Sequence, residues 1–153
     1  MTFNAEDQYR YTASGLDNVY LVGLPRIADR AGDETITIPR INELHKLLRR
    51  QVAEKDTGLD HKEIRFLRSE LGLTQAQFAQ HVHKDAQTIG RWERGETPID
   101  GSSEAVLRAM ALEDLGGERV TIRELTLKSV QSTASHAYKI DASDPSHYRA
   151  LAA

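Results

Sequence analysis

The sequence predicts a mainly α-helical protein with a small antiparallel β element, in which a small sheet and one helix precede a helical bundle. Three observations predict this fold class. Short β-like runs separated by turn residues fill the stretch before residue 40. An apolar stripe at helical spacing follows from Ile41 to Ala53. Two short helices, each with its own capping residue at Thr74 and Asp85, then flank a tight turn at residues 82–84.

The N-terminal stretch has a sequence pattern typical of a small β-sheet. After a polar start over residues 1–8, the runs YRYT, VYLVG and TITI begin at Tyr9, Val19 and Thr35. Ser-Gly at 14–15 and Ala-Gly-Asp at 31–33 supply turns between them. Two or three such strands are marginally stable alone, so we expect them to pack on a helix.

The helix from Ile41 to Ala53 is predicted to supply that packing surface. Its apolar stripe consists of Ile41, Leu44, Leu48 and Val52. Its other face carries Lys46, Arg49 and Arg50, for which a solvated surface is the favoured interpretation and a contact with DNA phosphate the alternative. The polar run from Lys55 to Asp60 is predicted to be a hinge.

Three capping signals follow the hinge. Asp60 with Glu63 and Thr74 with Gln77 have the spacing of capping boxes, and Asp85 suits the positive end of a further helix. Three short helices with a sharp turn between the second and third are typical of a helix-turn-helix.

The residues of this segment resemble the lambda-repressor-like (XRE/Cro type) DNA-binding domain. The resemblance covers roughly residues 60–115 and rests on Leu71, Thr74-Gln75, Phe78-Ala79, Ile89, Trp92-Glu93 and Gly95. Two positions depart from the family pattern. His83 stands where the turn usually has Gly, although His tolerates positive φ better than most residues, and Lys84 replaces a buried aliphatic residue.

The third helix, from Asp85 to Arg94, is predicted to lie in the major groove of DNA. Ile89 and Trp92 would face the core and leave the other side for base edges and phosphates. The predicted DNA-binding residues are Gln75, Lys84, Gln87, Thr88, Arg91 and Arg94. Gly90, inside this helix, is interpreted either as allowing a close approach to DNA or as a merely tolerated glycine.

Other residues of this helix are predicted to be structural. Trp92 should pack against Phe66 and Phe78. Glu93 should pair with Arg65 or Arg68 and so fix the angle of the helix. Gly95 should end the helix in a left-handed conformation.

The opening segment from Tyr9 to Leu21 is also similar to the N-terminal sheet of antitoxin-like regulators of the HigA/MqsA type. In that family a small N-terminal domain precedes the helix-turn-helix and, in some members, binds zinc through cysteines or contacts the toxin. This chain has no Cys, so that zinc site is not available here.

The C-terminal part is predicted to continue the helical bundle and then return to the sheet. A helix should start at Ser102 or Ser103 and end at Gly-Gly 116–117, and residues 120–127 favour a further helix over a strand. Residues 138–140 are expected to form a strand completing the N-terminal sheet, with loose residues after it. The predicted domains are 1–56, 57–117 and 118–153.

Composition excludes several classes of function. Without Cys there is no disulfide framework, His81 and His83 are badly spaced for a metal, and no phosphate loop or catalytic motif occurs. We therefore predict no catalytic residues, no metal and no cofactor. No membrane segment or signal peptide is evident, which favours a cytoplasmic protein. The net charge is −3, but residues 40–94 carry 11 Lys/Arg against 8 Asp/Glu, a net +3 that suits a modest DNA-binding face.

The expected function is therefore that of a sequence-specific DNA-binding transcriptional regulator and not an enzyme. The resemblance implies an antitoxin-like repressor of its own operon, binding a palindromic operator as a homodimer, with a cognate toxin as a further partner. One alternative is a stand-alone or phage-type repressor without a toxin. Another is a protein-interaction module that has lost DNA binding.

Overall fold

A computed structural model describes residues 8–24, 26–28, 32, 34–113, 115, 122–128 and 137–152. The elements within these ranges are, in chain order, β1 (Gln8–Arg10), β2 (Val19–Val22), β3 (Arg26–Ala28), β4 (Glu34–Ile36), α1 (Ile41–Ala53), α2 (His61–Glu70), α3 (Gln75–Val82), α4 (Ala86–Glu93), α5 (Gly101–Glu113), α6 (Ile122–Lys128), β5 (Tyr138–Asp141) and β6 (Arg149–Leu151). The predicted fold class, mainly helical with a small sheet, is confirmed.

The chain forms two compact units. The first, called the sheet unit, comprises residues 1–48 and 136–153, and the second, called the helical unit, comprises residues 49–135. The helical unit is thus inserted in the sequence between the two segments of the sheet unit. Helix α1 begins in the sheet unit, and its residues from Arg49 onward belong to the helical unit.

The sheet unit is built around four strands in the order β1-β2-β5-β6. Strand β5 is the predicted strand at residues 138–140, and it lies beside β2 with Val19 opposite Tyr138. This pairing is parallel, whereas β1 with β2 and β5 with β6 are antiparallel, so the sheet is mixed. Strand β4, which contains the first part of the TITI run, instead forms a separate two-stranded sheet with β3.

The residues after β5 differ from the sequence prediction. They were expected to be loose, but residues 149–151 form β6 and pair with β5. The loop between these strands is held on the turn before α1, because Tyr148 Oη donates to the carbonyl of Pro39 and Arg40 Nη1 donates to the carbonyl of Ser146 at 3.1 Å. These hydrogen bonds join residues far apart in sequence, so no local pattern indicates them.

The core of the helical unit lies between its helices. Helix α2 packs on α4 and α5, α3 packs on α4, and α5 packs on α6. The buried apolar side chains of these helices include Ile64, Phe66, Leu67, Phe78, Ile89, Trp92, Leu107 and Leu125, whereas Ile41 of the predicted α1 stripe is 40% exposed. The helix predicted within residues 120–127 is observed as α6, while the predicted Gly-Gly terminator at 116–117 lies outside the described residues.

The segment from Lys55 to Asp60 is not the polar hinge that the sequence predicts. Lys55 and Leu59 are buried, and the Lys55 ammonium donates to Glu63 Oε1 at 2.7 Å. Arg108 of α5, fully buried, donates to the backbone carbonyls of Lys55 and Thr57. A segment whose carbonyls are held in this way is part of the folded helical unit.

The cationic face predicted on α1 is not solvated throughout. Lys46 is exposed, and Arg50 pairs with Glu54 at 3.2 Å. Arg49, in contrast, donates from Nε to the carbonyl of Ala111 at 2.6 Å. Arg49 therefore links the end of α1 to α5 within the helical unit.

Candidate nucleic-acid interface

The turn between α3 and α4 has the geometry that a helix-turn-helix requires. Helix α3 begins with the predicted capping box, in which the Gln77 N–H donates to Thr74 Oγ1 at 3.1 Å and the Thr74 N–H donates to Gln77 Oε1 at 2.9 Å. It ends at His83, whose φ of 57° and ψ of 42° are left-handed. The N–H groups of His83 and Lys84 both donate to the carbonyl of Ala79. The left-handed conformation of His83 turns the chain sharply, so the cap of α4 follows two residues later at Asp85.

Asp85 caps α4 as predicted. Its Oδ1 accepts from the Thr88 N–H at 2.7 Å and from the Thr88 hydroxyl at 2.8 Å. These two hydrogen bonds favour the ionised carboxylate and hold the pKa of Asp85 below its ordinary value. The Thr88 hydroxyl proton is therefore engaged in the cap.

We expect Asp85→Asn to lower the stability of the helical unit at neutral pH and to flatten its dependence on acid. Because the folded pKa of Asp85 lies below the unfolded one, its contribution is fully present above about pH 4. It is lost as the pH falls through the folded pKa. Thermal unfolding followed by the fluorescence of Trp92, the single tryptophan, from pH 7 to pH 3 measures this.

The difference in midpoint between the wild type and Asp85→Asn should shrink as the pH falls. A difference that stays constant over this range would contradict a role for the ionised carboxylate. Asp56→Asn, at a similarly exposed aspartate outside α4, controls for the loss of one negative charge.

Helix α4 is locked from behind by a polar clasp, which we define as Arg68, Gln75 and Glu93. The Arg68 guanidinium donates from Nε to Glu93 Oε2 at 2.5 Å and from Nη2 to Glu93 Oε1 at 2.8 Å. Gln75 Nε2 donates to the same Oε1 at 3.2 Å. The side chains of Arg68 and Glu93 are 13% and 4% exposed. Of the two partners that the sequence allows for Glu93, the structure selects Arg68, and the clasp joins α2, α3 and α4.

The end of α4 is fixed by backbone hydrogen bonds around Gly95. Gly95 has a φ of 74°, as predicted for a left-handed terminator. The Gly95 N–H donates to the carbonyl of Trp92 at 3.2 Å, and the Glu96 N–H donates to the carbonyl of Arg91 at 2.9 Å. This pair of bonds is a Schellman motif, and it places Glu96 back beside the last turn of α4.

Four of the six predicted DNA-binding residues surround one open groove of about 400 Å³. Its lining consists of Gln75, Ala86, Gln87, Gly90, Arg91 and Arg94. Lys84 is exposed on the turn and Thr88 is half-buried on α4, and neither lines the groove. The four predicted residues that line the groove thus lie on one side of the α3–α4 pair, with Gln87 and Arg91 exposed.

Gly90 lies under the Arg94 guanidinium. A Cβ added to Gly90 would be 2.9 Å from Arg94 Nη1 and 3.6 Å from Gln75 Oε1. The glycine therefore leaves room above α4 for the ends of the Arg94 and Gln75 side chains. This is a third role for Gly90, beside the two that the sequence leaves open.

Two acidic side chains of this surface were missed as part of the site. Glu96 binds Arg94 through two hydrogen bonds, from Nε to Oε1 at 2.9 Å and from Nη2 to Oε2 at 3.2 Å. The positive charge of Arg91 lowers the pKa of Asp85 and of Glu96, after the larger effects of their own hydrogen bonds to Thr88 and Arg94. Gly95 could have indicated that Glu96 lies beside α4, because a left-handed residue at the end of a helix turns the chain back toward that helix.

The described residues show neither a metal cluster nor a membrane-spanning helix. No group of three or more His, Cys, Asp or Glu among them is arranged to hold a metal ion. In the same part of the chain, no helix has the length and apolar character that crossing a bilayer requires.

A comparison with known protein families identifies the same segment as a helix-turn-helix. Residues 62–121 match the model of a family described as a helix-turn-helix domain. No curated protein and no solved structure shows significant similarity to this chain. The match runs from α2 past the end of α5, so it contains the caps, the turn and the groove described above.

Proposed function

We propose that this chain, through its helix-turn-helix domain, is a sequence-specific DNA-binding transcriptional regulator that reads the major groove with α4. The observation that carries the proposal is that Gln87 and Arg91 are exposed on the outer face of α4, while its opposite face is packed against the helical unit. Ile89 and Trp92 are buried, and the Arg68–Glu93 pair holds the last turn. A rigid helix with a polar outer face suits the major groove, which is wide enough to admit one.

The polar residues of α4 suit direct readout. The Gln87 carboxamide can pair with both major-groove groups of an adenine, and the Arg91 guanidinium can pair with O6 and N7 of a guanine. Both side chains line the same groove. Thr88, one position along, would add an apolar contact with a thymine methyl.

The flanking residues suit the phosphate backbone. Gln75 is the first residue of α3, where backbone N–H groups have no partner within the helix, and its own amide is oriented by Glu93. Lys84 on the turn and Arg94 at the end of α4 would contact phosphates on the two sides of the reading helix. Such contacts set register and carry no sequence information by themselves.

The finer proposal is an antitoxin-like autorepressor that binds a palindromic operator as a homodimer. A single helix-turn-helix contacts little DNA, and two-fold dimers place two reading helices about one helical turn apart. The resemblance of residues 9–21 to antitoxin-like regulators supports a toxin partner, which would bind the sheet unit. A stand-alone or phage-type repressor, with the sheet unit serving only dimerisation, is the alternative within the same class.

One observation favours a second candidate, a protein-interaction module without DNA binding. Asp85 and Glu96 place two exposed carboxylates beside the three cations Lys84, Arg91 and Arg94. The surface is therefore only weakly positive, and a mixed-charge surface also suits a protein partner.

The test is fluorescence-anisotropy binding to DNA from immediately upstream of the chain's own gene, at two salt concentrations, beside an unrelated duplex. We expect tight, salt-sensitive binding to the upstream DNA alone. Gln87→Ala/Arg91→Ala should weaken it at least about tenfold, because each lost base contact costs about 1–3 kcal/mol. The unrelated duplex should show the weaker binding that backbone contacts alone provide.

The matched control is Gln80→Ala/Arg65→Ala, which removes the same two residue types from exposed positions of α3 and α2 that do not line the groove. It should leave the affinity unchanged. Equal and weak binding to both duplexes, unaffected by the α4 substitutions, would refute readout by α4 and favour the interaction module. Size-exclusion chromatography with light scattering, with and without the operator, tests the homodimer.

A further inference from the structure

The Arg94–Glu96 pair is an exposed ion pair in a fixed place. The side chains are 58% and 53% exposed, and an ion pair this open to water contributes little to stability. Its position is nevertheless defined, because the Schellman motif around Gly95 fixes the backbone of Glu96. The absent side chain at Gly90 leaves room for the guanidinium of Arg94. The pair is therefore better explained by an effect on the groove than by an effect on the fold.

The two hydrogen bonds between these residues have the geometry of a phosphate contact. A guanidinium binds a carboxylate and a phosphate in the same two-pronged way, through two parallel N–H groups. Glu96 uses Nε and Nη2 of Arg94, and Nη1 lies over Gly90. A DNA phosphate binding Arg94 in this two-pronged way through Nε and Nη2 would compete with Glu96 for the same two donors.

We propose that Glu96 is an internal competitor of the DNA phosphate at Arg94, and that it lowers the affinity of the groove for DNA of any sequence. This rests on the proposed DNA-binding function. Binding would exchange one anion for another on Arg94 and leave the displaced carboxylate close to the backbone phosphates. Because a phosphate contact carries no sequence information, this cost is the same for every DNA sequence and leaves the discrimination between sequences unchanged.

Glu96 can be changed without removing a cap. The backbone bonds of the Schellman motif do not involve its side chain, whereas the Asp85 carboxylate is needed to cap α4. Glu96→Gln keeps the shape and removes the charge. Glu113→Gln, at the exposed end of α5, adds the same unit of net charge elsewhere in the helical unit and serves as the matched control.

The experiment measures binding of the full chain to the upstream and the unrelated duplex for the wild type, Glu96→Gln, Arg94→Ala, the double variant and Glu113→Gln. We expect Glu96→Gln to tighten binding to both duplexes about three- to tenfold, by the same factor for each. The slope of log K against log salt should steepen by up to about one unit, because the Glu96 carboxylate no longer partly neutralises the Arg94 charge that replaces a counterion at the phosphate. Arg94→Ala should weaken binding more in the Glu96→Gln background than in the wild type. Trp92 fluorescence verifies that each variant is folded.

The outcomes separate this inference from the proposed function. Tightening that is equal in Glu96→Gln and Glu113→Gln, or additive effects of the Arg94 and Glu96 substitutions, would overturn the inference and leave DNA binding in place. Binding by Glu96→Gln alone, with none by the wild type, would support the inference in its strongest form. No binding by either protein to any duplex would overturn the proposed function and the inference with it.

Discussion

Replacing Arg108 with methionine is expected to lower the free energy of unfolding of the helical unit by about 3–5 kcal/mol. Arg108 is fully buried, and its guanidinium donates to the carbonyls of Lys55 and Thr57 and lies 3.6 Å from Glu104 Oε1. Methionine fills a similar volume but provides neither donors nor charge. It therefore leaves buried carbonyls without this donor and the buried Glu104 carboxylate without the guanidinium beside it.

Chemical denaturation followed by Trp92 fluorescence measures this change within the helical unit. Arg65→Met, at an exposed position of α2, makes the same substitution and should change the unfolding free energy by less than about 0.5 kcal/mol. A loss below about 1 kcal/mol for Arg108→Met would show that the buried charges are not what holds the segment after α1. The Arg108 Nε is buried with no hydrogen-bond partner among the described residues. The substitution by methionine removes this unsatisfied donor, which offsets part of the lost stability.

The second large effect is expected for Glu93→Gln, which should destabilise the helical unit by about 2–4 kcal/mol. The carboxamide keeps the shape of Glu93 but leaves the Arg68 guanidinium without its countercharge. Arg68 is slightly exposed, so water relieves part of the cost. Because Gln75 also bonds to Glu93, the same change should loosen the residue that begins α3 and weaken DNA binding at temperatures where the protein remains folded.

A double-mutant cycle with Arg68→Met gives the decisive comparison. Once Arg68 is gone, Glu93→Gln should cost much less, and the difference between the two backgrounds is the coupling energy of the pair. Additive losses would contradict a clasp that depends on this ion pair. Glu113→Gln, which removes an exposed carboxylate from α5, should leave stability within about 0.5 kcal/mol of the wild type.

The geometry of the candidate site was largely predictable because it depends on short-range patterns in the sequence. Thr74 with Gln77 and Asp85 with Thr88 fix two helix starts, and His83 permits the left-handed turn between them. Gln87 and Arg91, on the face opposite Ile89, follow from helical periodicity alone. Whether these residues bind DNA remains a prediction, which the experiments above test.

The charges around the site were not predictable in the same way. The sequence leaves Arg65 and Arg68 as equal partners for Glu93, and only the packing of α2 on α4 selects Arg68. Glu96 was not recognised because its effect depends on where Gly95 sends the chain. The effect of an acidic residue on a basic surface can be predicted only when its distances to the cations are known.

The sequence by itself determined the fold class, the range of α1, the caps of α2, α3 and α4, and the position of the turn. Each depends on hydrogen bonds or apolar spacing within about one helical turn. The tertiary structure alone decided that β5 runs parallel to β2, that residues 149–151 form a strand, and that the carbonyls of Lys55 and Thr57 bind Arg108. These features join residues far apart in the chain. Their free energy depends on which surfaces the whole fold brings together, and no local pattern records it.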